Sequence, residues 1–421
     1  MRQLHTLATC LTVTCLAVAA EGNLLKNGAF ELGAGNLPAE WQTQAWKGAE
    51  AMFTWENSGG TGGSRCISIE ATADNDARFE QKVVLAPHTA YLLRGMARGE
   101  GIKLGKDAWV GANLCAYGIY RCSSDTKISK GTFDWTPFEV DFATGPKGEA
   151  TVAARLGHWS STVTGKVYFD DLELMADARV ERRESKHLYM NLWKKDWANF
   201  EDGKAERWLA HLDAAYEAMA DLTGYQPYGG GKIGISTPTW FPGGWAVAGN
   251  PIRWRRRYVR SVLVGSNKDD NWGFGVLHEM GHDFDHGSAW NFDAEFWANF
   301  KLHYAVETLD GKLTGPQGLA TGKEFRLFWK EKFEQQWGKK KNAHNDGLQH
   351  KMLLMQSKIG WEPFKQTFRS FWALPADQRP KSRWAKFQAF NDFLAKHSGE
   401  DVWAFYTPDE LERLKQRYSA K

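Results

Sequence analysis

Residues 272–300 read WGFGVLHEMGHDFDHGSAWNFDAEFWANF, and the H-E-x-x-H inside them decides what kind of domain surrounds it. A helix advances about 100° and 1.5 Å per residue, so His278 and His282 project from one face and can share one metal ion. Glu279 is rotated off that face but stays beside it. It can take a proton from water next to the metal without being a ligand itself. Phe274, Val276 and Leu277 give the helix an apolar side, and Asn267, Asp269 and Asp270 before it suit a helix start. Gly281 inside the helix costs about 1 kcal/mol relative to Ala, which leads us to expect a second segment approaching closely there.

Two histidines do not complete a zinc site, which takes a third protein ligand and keeps a fourth position open. Glu295 follows His282 after twelve intervening positions and opens a second helical stretch, AEFWANFKLHYAVETL (294–309). A short loop would return this helix across the first and deliver the carboxylate. Asn299, one turn on, would then orient that carboxylate from behind. His286, Asp293 and His303 are rival third ligands: His286 lies one turn further along the first helix, pointing past the metal, and Asp293 serves if the second helix starts earlier. Zn2+ is the expected cofactor. An oxyanion-stabilising Tyr or His is also required, with Tyr258, His303, Tyr304, His344 and His350 as candidates.

Outward from this segment the periodicity divides the chain. The region 187–421 reads as mixed α/β, mainly helical. AERWLAHLDAAYEAMADLTG (205–224) repeats its apolar residues near 3.6, whereas KIGIS (232–236) and VRSVLVGS (259–266) read as strands, the latter offering backbone groups to an extended substrate. Five arginines (Arg253, Arg255, Arg256, Arg257, Arg260) at the start of that predicted strand are read as a solvated edge rather than an anion site. Residues 177–186, DARVERRESK, are apolar-poor and are expected to be a linker. Residues 21–176 alternate in short segments such as CISIEA (66–71), TAYLLRGMA (89–97) and KVYFDDLELM (166–175), the pattern of an all-β sandwich. Residues 1–20 carry Arg2, an apolar stretch and a small-residue end, which predicts a secretory signal and a secreted, periplasmic or cell-surface protein.

The 421 residues carry 53 basic and 50 acidic side chains, so no basic field points to nucleic acid, and no later apolar run is long enough to span a membrane. Three cysteines, Cys66, Cys115 and Cys122, follow the signal. Bridging Cys115 to Cys122 would need a turn near Tyr117-Gly118. Tryptophan is in excess: 21 residues, fifteen of them after residue 177. Trp41, Trp46, Trp109 and Trp159, with Trp240, Trp245 and Trp254, are candidates for stacking on sugars; core packing is the alternative.

Two resemblances follow from these motifs. The opening NLLKNGAFELGAGNLPAEWQ (23–42) and the strand VYFDDLEL (167–174) resemble the first and last strands of galactose-binding-like jelly rolls, which implies a carbohydrate-binding module. It also implies a structural Ca2+ with Glu31 and Asp170 or Asp171 as oxygen ligands. H-E-x-G-H followed by Glu295 and Asn299, with GGWAVAGNPI (243–252) and LLMQSKIGWEPFKQTFRSF (353–371), resembles the enhancin-type gluzincin metallopeptidases, metallopeptidase family sixty. That resemblance implies zinc held by His278, His282 and Glu295, Glu279 as general base, and a glycoprotein or peptide substrate of the O-glycosylated, mucin-like kind. The sequence departs from the family pattern at Asn250 and at Asp283-Phe284-Asp285. A glycan-binding surface protein with a vestigial zinc domain, or a carbohydrate-active hydrolase, is the alternative expectation.

Overall fold

The computed structural model describes residues 22–117, 122–123, 129–159, 161–241, 244–285, 288–315 and 318–419. The signal-like segment 1–20 lies outside the described residues.

Strict alternation builds the first domain. Along Ala90–Leu104, Tyr91, Leu93 and Ala97 point inward while their neighbours are more exposed. Inward side chains of this kind form two five-stranded sheets in which all paired strands are antiparallel. Ile67, Ile69, Phe169 and Leu93 of one sheet share a core with Phe79, Leu114, Val152 and Ala154 of the other. The chain enters this sandwich beside its exit: the Leu24 N–H donates to the Leu174 carbonyl at 2.9 Å. Cys115 pairs with Ser123 in an antiparallel ladder, the residues around the expected Tyr117-Gly118 turn lie partly outside the described residues, and the Cys66 and Cys115 thiols are free and buried.

No linker follows. Within 177–186, Val180–Glu184 is a strand paired antiparallel with Leu188–Trp193, which corrects the expected linker. The strand carries few apolar residues because it is the outer strand of its sheet. Its polar side chains find partners instead, as Arg183 does with Glu181 at 2.8 Å. The sheet continues through Ile233–Ser236 and Ile252–Trp254 in parallel and ends on Ala246–Val247, antiparallel, as the opposite edge. Helix Lys204–Thr223 buries Trp208, Leu209, Leu212, Tyr216 and Met219, the face its periodicity predicts.

VRSVLVGS is not a strand. It lies in helix Arg256–Asp269, with Val259, Leu263 and Ser266 buried at i, i+4 and i+7, a spacing its β-branched residues disguised. The arginines are therefore not a strand edge either. Arg256 makes a two-point ion pair with Asp196 at 2.8–2.9 Å, Arg253 is buried, and Arg255 donates to the Phe241 carbonyl at 2.5 Å.

The two domains are fastened together. Asp141 of the sandwich accepts from the Thr239 N–H at 2.9–3.0 Å and from its hydroxyl at 3.0 Å. Burial pushes the Asp141 carboxyl up to about 6 in spite of those donors. Trp109 packs on Trp240, and His88 stacks on Tyr189. Most of the tryptophan excess is core: Trp208, Trp254, Trp290, Trp297, Trp329 and Trp337 are among the largest fully buried side chains. Among the described residues no helix is long and apolar enough to cross a membrane.

Candidate metal centre

Helix Phe274–Asp283 carries the H-E-x-x-H, and helix Ala294–Thr308 returns across it. The second helix begins where the Asp293 carboxylate caps it by accepting from the Phe296 N–H at 3.3 Å. The crossing falls at Gly281, where a Cβ would lie 2.8 Å from the Ala298 carbonyl oxygen. Glycine is therefore what lets the two backbones approach, as its presence in the helix led us to expect.

This approach brings three side chains to one point. His278 Nε2 lies 3.1 Å from Glu295 Oε2 and 3.1 Å from His282 Nε2, and His282 Nε2 lies 3.6 Å from Glu295 Oε1. His278 Nδ1 is 2.8 Å from Asn299 Oδ1, so Nδ1–H donates to the amide oxygen and the Nε2 lone pair faces inward. Lone pairs of two imidazoles and a carboxylate thus converge with no N–H or O–H between them, and a cation resolves such an arrangement. Two nitrogens and one oxygen form a donor set that suits zinc. The Glu295 side chain is 62% exposed, which leaves one side of the cluster open to solvent as a catalytic site needs.

The electrostatics agree with the geometry. Burial and the neighbouring His278 hold His282 below the ordinary imidazole value, which favours the neutral ligand form. Burial also works to lower His278, but Glu295, Glu279 and Asn299 outweigh it and the net shift is upward. Without a cation, a second proton on His278 takes its place, and the hydrogen bond that proton makes holds the Glu295 carboxyl low. Glu279 is buried beside the cluster, with the Ala248 amide near its carboxylate. Burial pushes Glu279 up to about 7 against the pull of His278, that amide and Arg253, and Glu295 adds to the rise.

The rival ligands are occupied elsewhere. Asp293 caps its helix and pairs with Arg417 at 3.0 Å, while His303 is fully buried between Glu307 (2.9 Å) and the Trp329 indole (3.3 Å). His286 lies outside the described residues. Of the oxyanion candidates, Tyr304 donates to Asp221 at 2.7 Å, His350 packs against Phe333, and Tyr258 is hydrogen-bonded by Arg257. His344 caps helix Asn345–Ile359, whose Asp346 feels the charge of His278.

Glu31 and Asp170 form no comparable site. Asp170 Oδ2 accepts from the Thr61 N–H (2.8 Å), the Thr61 hydroxyl (2.9 Å) and the Ser64 hydroxyl (2.9 Å), and Oδ1 accepts from the Asp171 N–H at 2.8 Å. Asp171 is bonded by the same Thr61 hydroxyl, and Glu31 accepts from the Arg65 N–H at 3.0 Å. With their oxygens facing protein donors, these acids do not fit a calcium ion as expected. Among the described residues the His278–His282–Glu295 cluster is the one group of His, Cys, Asp and Glu with metal-ligand spacing.

A family model described as Peptidase M60, enhancin and enhancin-like, matches residues 170–408. The chain belongs to this family. The matched span contains the whole cluster and makes the protein a metallopeptidase at family level. No curated protein matches the chain. Among solved structures, a conserved protein of unknown function from Bacillus anthracis is 15% identical over 80% of this chain and 78% of its own, with a TM-score of 0.45. A metallopeptidase in complex with Tn antigen is 12% identical over 80% of this chain and 71% of its own, with a TM-score of 0.40. The sandwich is similar to TmCBM61, solved with β-1,4-galactotriose: 17% identity over 37% of this chain and 99% of that one, TM-score 0.27. Likenesses this distant assign no ligand to this chain.

Trp245, expected only as a candidate for stacking on sugars, has a packing role beside the metal-site helix that the sequence reading did not foresee. Its ring lies against Gly275, where a Cβ would sit 2.1 Å from it, so the tryptophan caps the metal-site helix one turn before His278. The signal was present: Gly275 breaks an otherwise apolar helix start, three positions before the motif.

Proposed function

We propose that the chain is an exported zinc peptidase that hydrolyses peptide bonds in O-glycosylated, mucin-like proteins, with Glu279 as general base. The observation that carries this reading is the convergence of His278, His282 and Glu295 beside a buried Glu279. A zinc ion there would polarise the scissile carbonyl and acidify a nearby water. Glu279 accepts the water proton on its carboxylate and passes it to the leaving amine nitrogen. Asn299 keeps His278 in the Nδ1–H tautomer throughout.

The substrate chain runs along the sheet edge. Ala246–Val247 is the outermost strand, packed beside the metal-site helix, and its free side can pair with an extended peptide. This replaces helix 256–269 as the peptide-binding element. Glycan recognition by the sandwich is part of the proposal and is supported by Trp46 and Trp159, which are 66% and 55% exposed. Trp41 is core and Trp109 is spent on Trp240. Export rests on the signal pattern of residues 1–20. A glycosidase reading finds no support, since Glu295 is held against both histidines rather than facing Glu279 across a sugar-sized gap.

The test is digestion of one defined O-glycoprotein, with and without its glycans, by unmodified protein and by E279Q, with fragments read by mass spectrometry. Glycan-dependent cleavage that is lost in E279Q is expected. Cleavage by E279Q at the unmodified rate overturns the assignment of the base.

A further inference from the structure

Asn250 and Asp283 meet at one turn. Both act on residues 248–250, the turn joining the edge strand Ala246–Val247 to Ile252–Trp254. The Ala248 amide faces Glu279 closely enough to favour its charged form, the Gly249 N–H donates to Asp283 Oδ1 at 2.9 Å, and the Asn250 side chain bonds the Lys232 carbonyl (3.0 Å) and the Gly234 N–H (2.7 Å). Glu279 and Asp283 are one turn apart on one helix, so the carboxylate that holds the Gly249 amide lies on the same face as the one beside the Ala248 amide. Gly249 has φ 130, a conformation that strains any other residue, and its amide faces the helix there.

Asp283 is unlike its neighbour. Asp285 is buried against Lys301 in an ion pair, an ordinary solution for a buried charge. Asp283 is equally buried, yet among the described residues no cation pairs with it. Its second partner is the Tyr228 hydroxyl, which donates to Oδ1 at 2.9 Å. Tyr228 reaches it from a left-handed backbone (φ 54, ψ 31), a costly setting for a bulky side chain.

We propose that Asp283 is a positioning residue for hydrolysis: anchored by Tyr228, it pins the Gly249 amide to the metal-site helix, and so fixes the turn that runs past Glu279 and the end of the strand that receives substrate. This inference rests on the proposed role of Glu279. Asp283 touches neither substrate nor metal in this role. Its loss acts on kcat for each zinc-loaded molecule, whereas a merely structural role lowers the unfolding temperature and leaves that quantity alone.

The experiment compares D283A, D283N, Y228F and E279Q on one quenched peptide, with zinc content by elemental mass spectrometry and unfolding by calorimetry. D283A is expected to keep stoichiometric zinc and lose roughly ten- to a hundredfold in kcat, the scale of an ångström-level misplacement. D283N retains an oxygen that accepts from Gly249 and returns to within about threefold of the unmodified protein. Y228F, which removes one hydrogen bond and keeps the ring, loses about threefold. Unchanged kcat per zinc in D283A overturns the proposal. Should D283A not fold, unchanged kcat per zinc in Y228F overturns it instead. If E279Q alone retains full activity, the general-base reading fails, and the role of Asp283 fails with it.

Discussion

The crossing of the two helices and the loop beneath Asp170 both gather acidic side chains, and they are built in opposite ways. At the crossing, two imidazole nitrogens and a carboxylate face one another with nothing to donate between them. Under Asp170, an amide and two hydroxyls from residues 61–64 converge on one carboxylate oxygen, and a further amide serves the other. Acids close together do not by themselves make a cation site. What separates the two places is whether the protein has already supplied the donors.

The largest effect that tests this contrast is on turnover. E279Q should lower kcat by about 10² to 10⁴ while zinc stays bound, and equal activity would break the assignment. Next is the metal itself: H282A should lose zinc on dialysis that the unmodified protein survives, and N299A, which only frees the His278 ring, should weaken zinc about 10- to 100-fold in competition with a chromophoric chelator. Acid should release zinc in parallel. Protons and zinc compete for the His278 ring, whose metal-free value is raised, so zinc affinity should weaken as pH falls through that value and release should follow at a lower pH set by the affinity. The smaller effects belong to the sandwich. D170A strands the amides of Thr61 and Asp171 and should cost about 1–3 kcal/mol of stability, with zinc content and kcat per zinc unchanged. Added calcium should leave the unfolding temperature where it was; a rise of several degrees would erase the contrast.

How far the sequence could be read followed from how local each signal is. His278, Glu279 and His282 were legible because helical spacing dictates which of them share a face, whereas Glu295 needed a second helix folding back and had rivals. The sandwich was legible because a two-residue period needs no knowledge of what packs against it. Residues 259–266 were misread because Val259, Val262 and Val264 carry the side chains of a strand, and only the partners of Val259 and Leu263 reveal the helix. Val180–Glu184 was misread because an outer strand can meet its needs with ion pairs rather than apolar burial. The turn at 248–250 was visible only as a departure from a pattern. Its ties to Asp283 and Lys232 span 34 and 18 residues, and no window of sequence contains them.

The clasp of Asp141 on Thr239 bears on how such a protein would read its substrate. Thr239 lies seven residues before the outermost strand of the sheet, on the segment that leads into it. A sugar-binding module on a flexible tether raises only the local concentration of its target. One clasped to the segment beside the peptide groove acts instead as a ruler, setting a fixed offset between the residue that bears the glycan and the bond that is cut. Lengthening the junction at 177–179 would then blur the ladder of fragments instead of merely slowing its appearance.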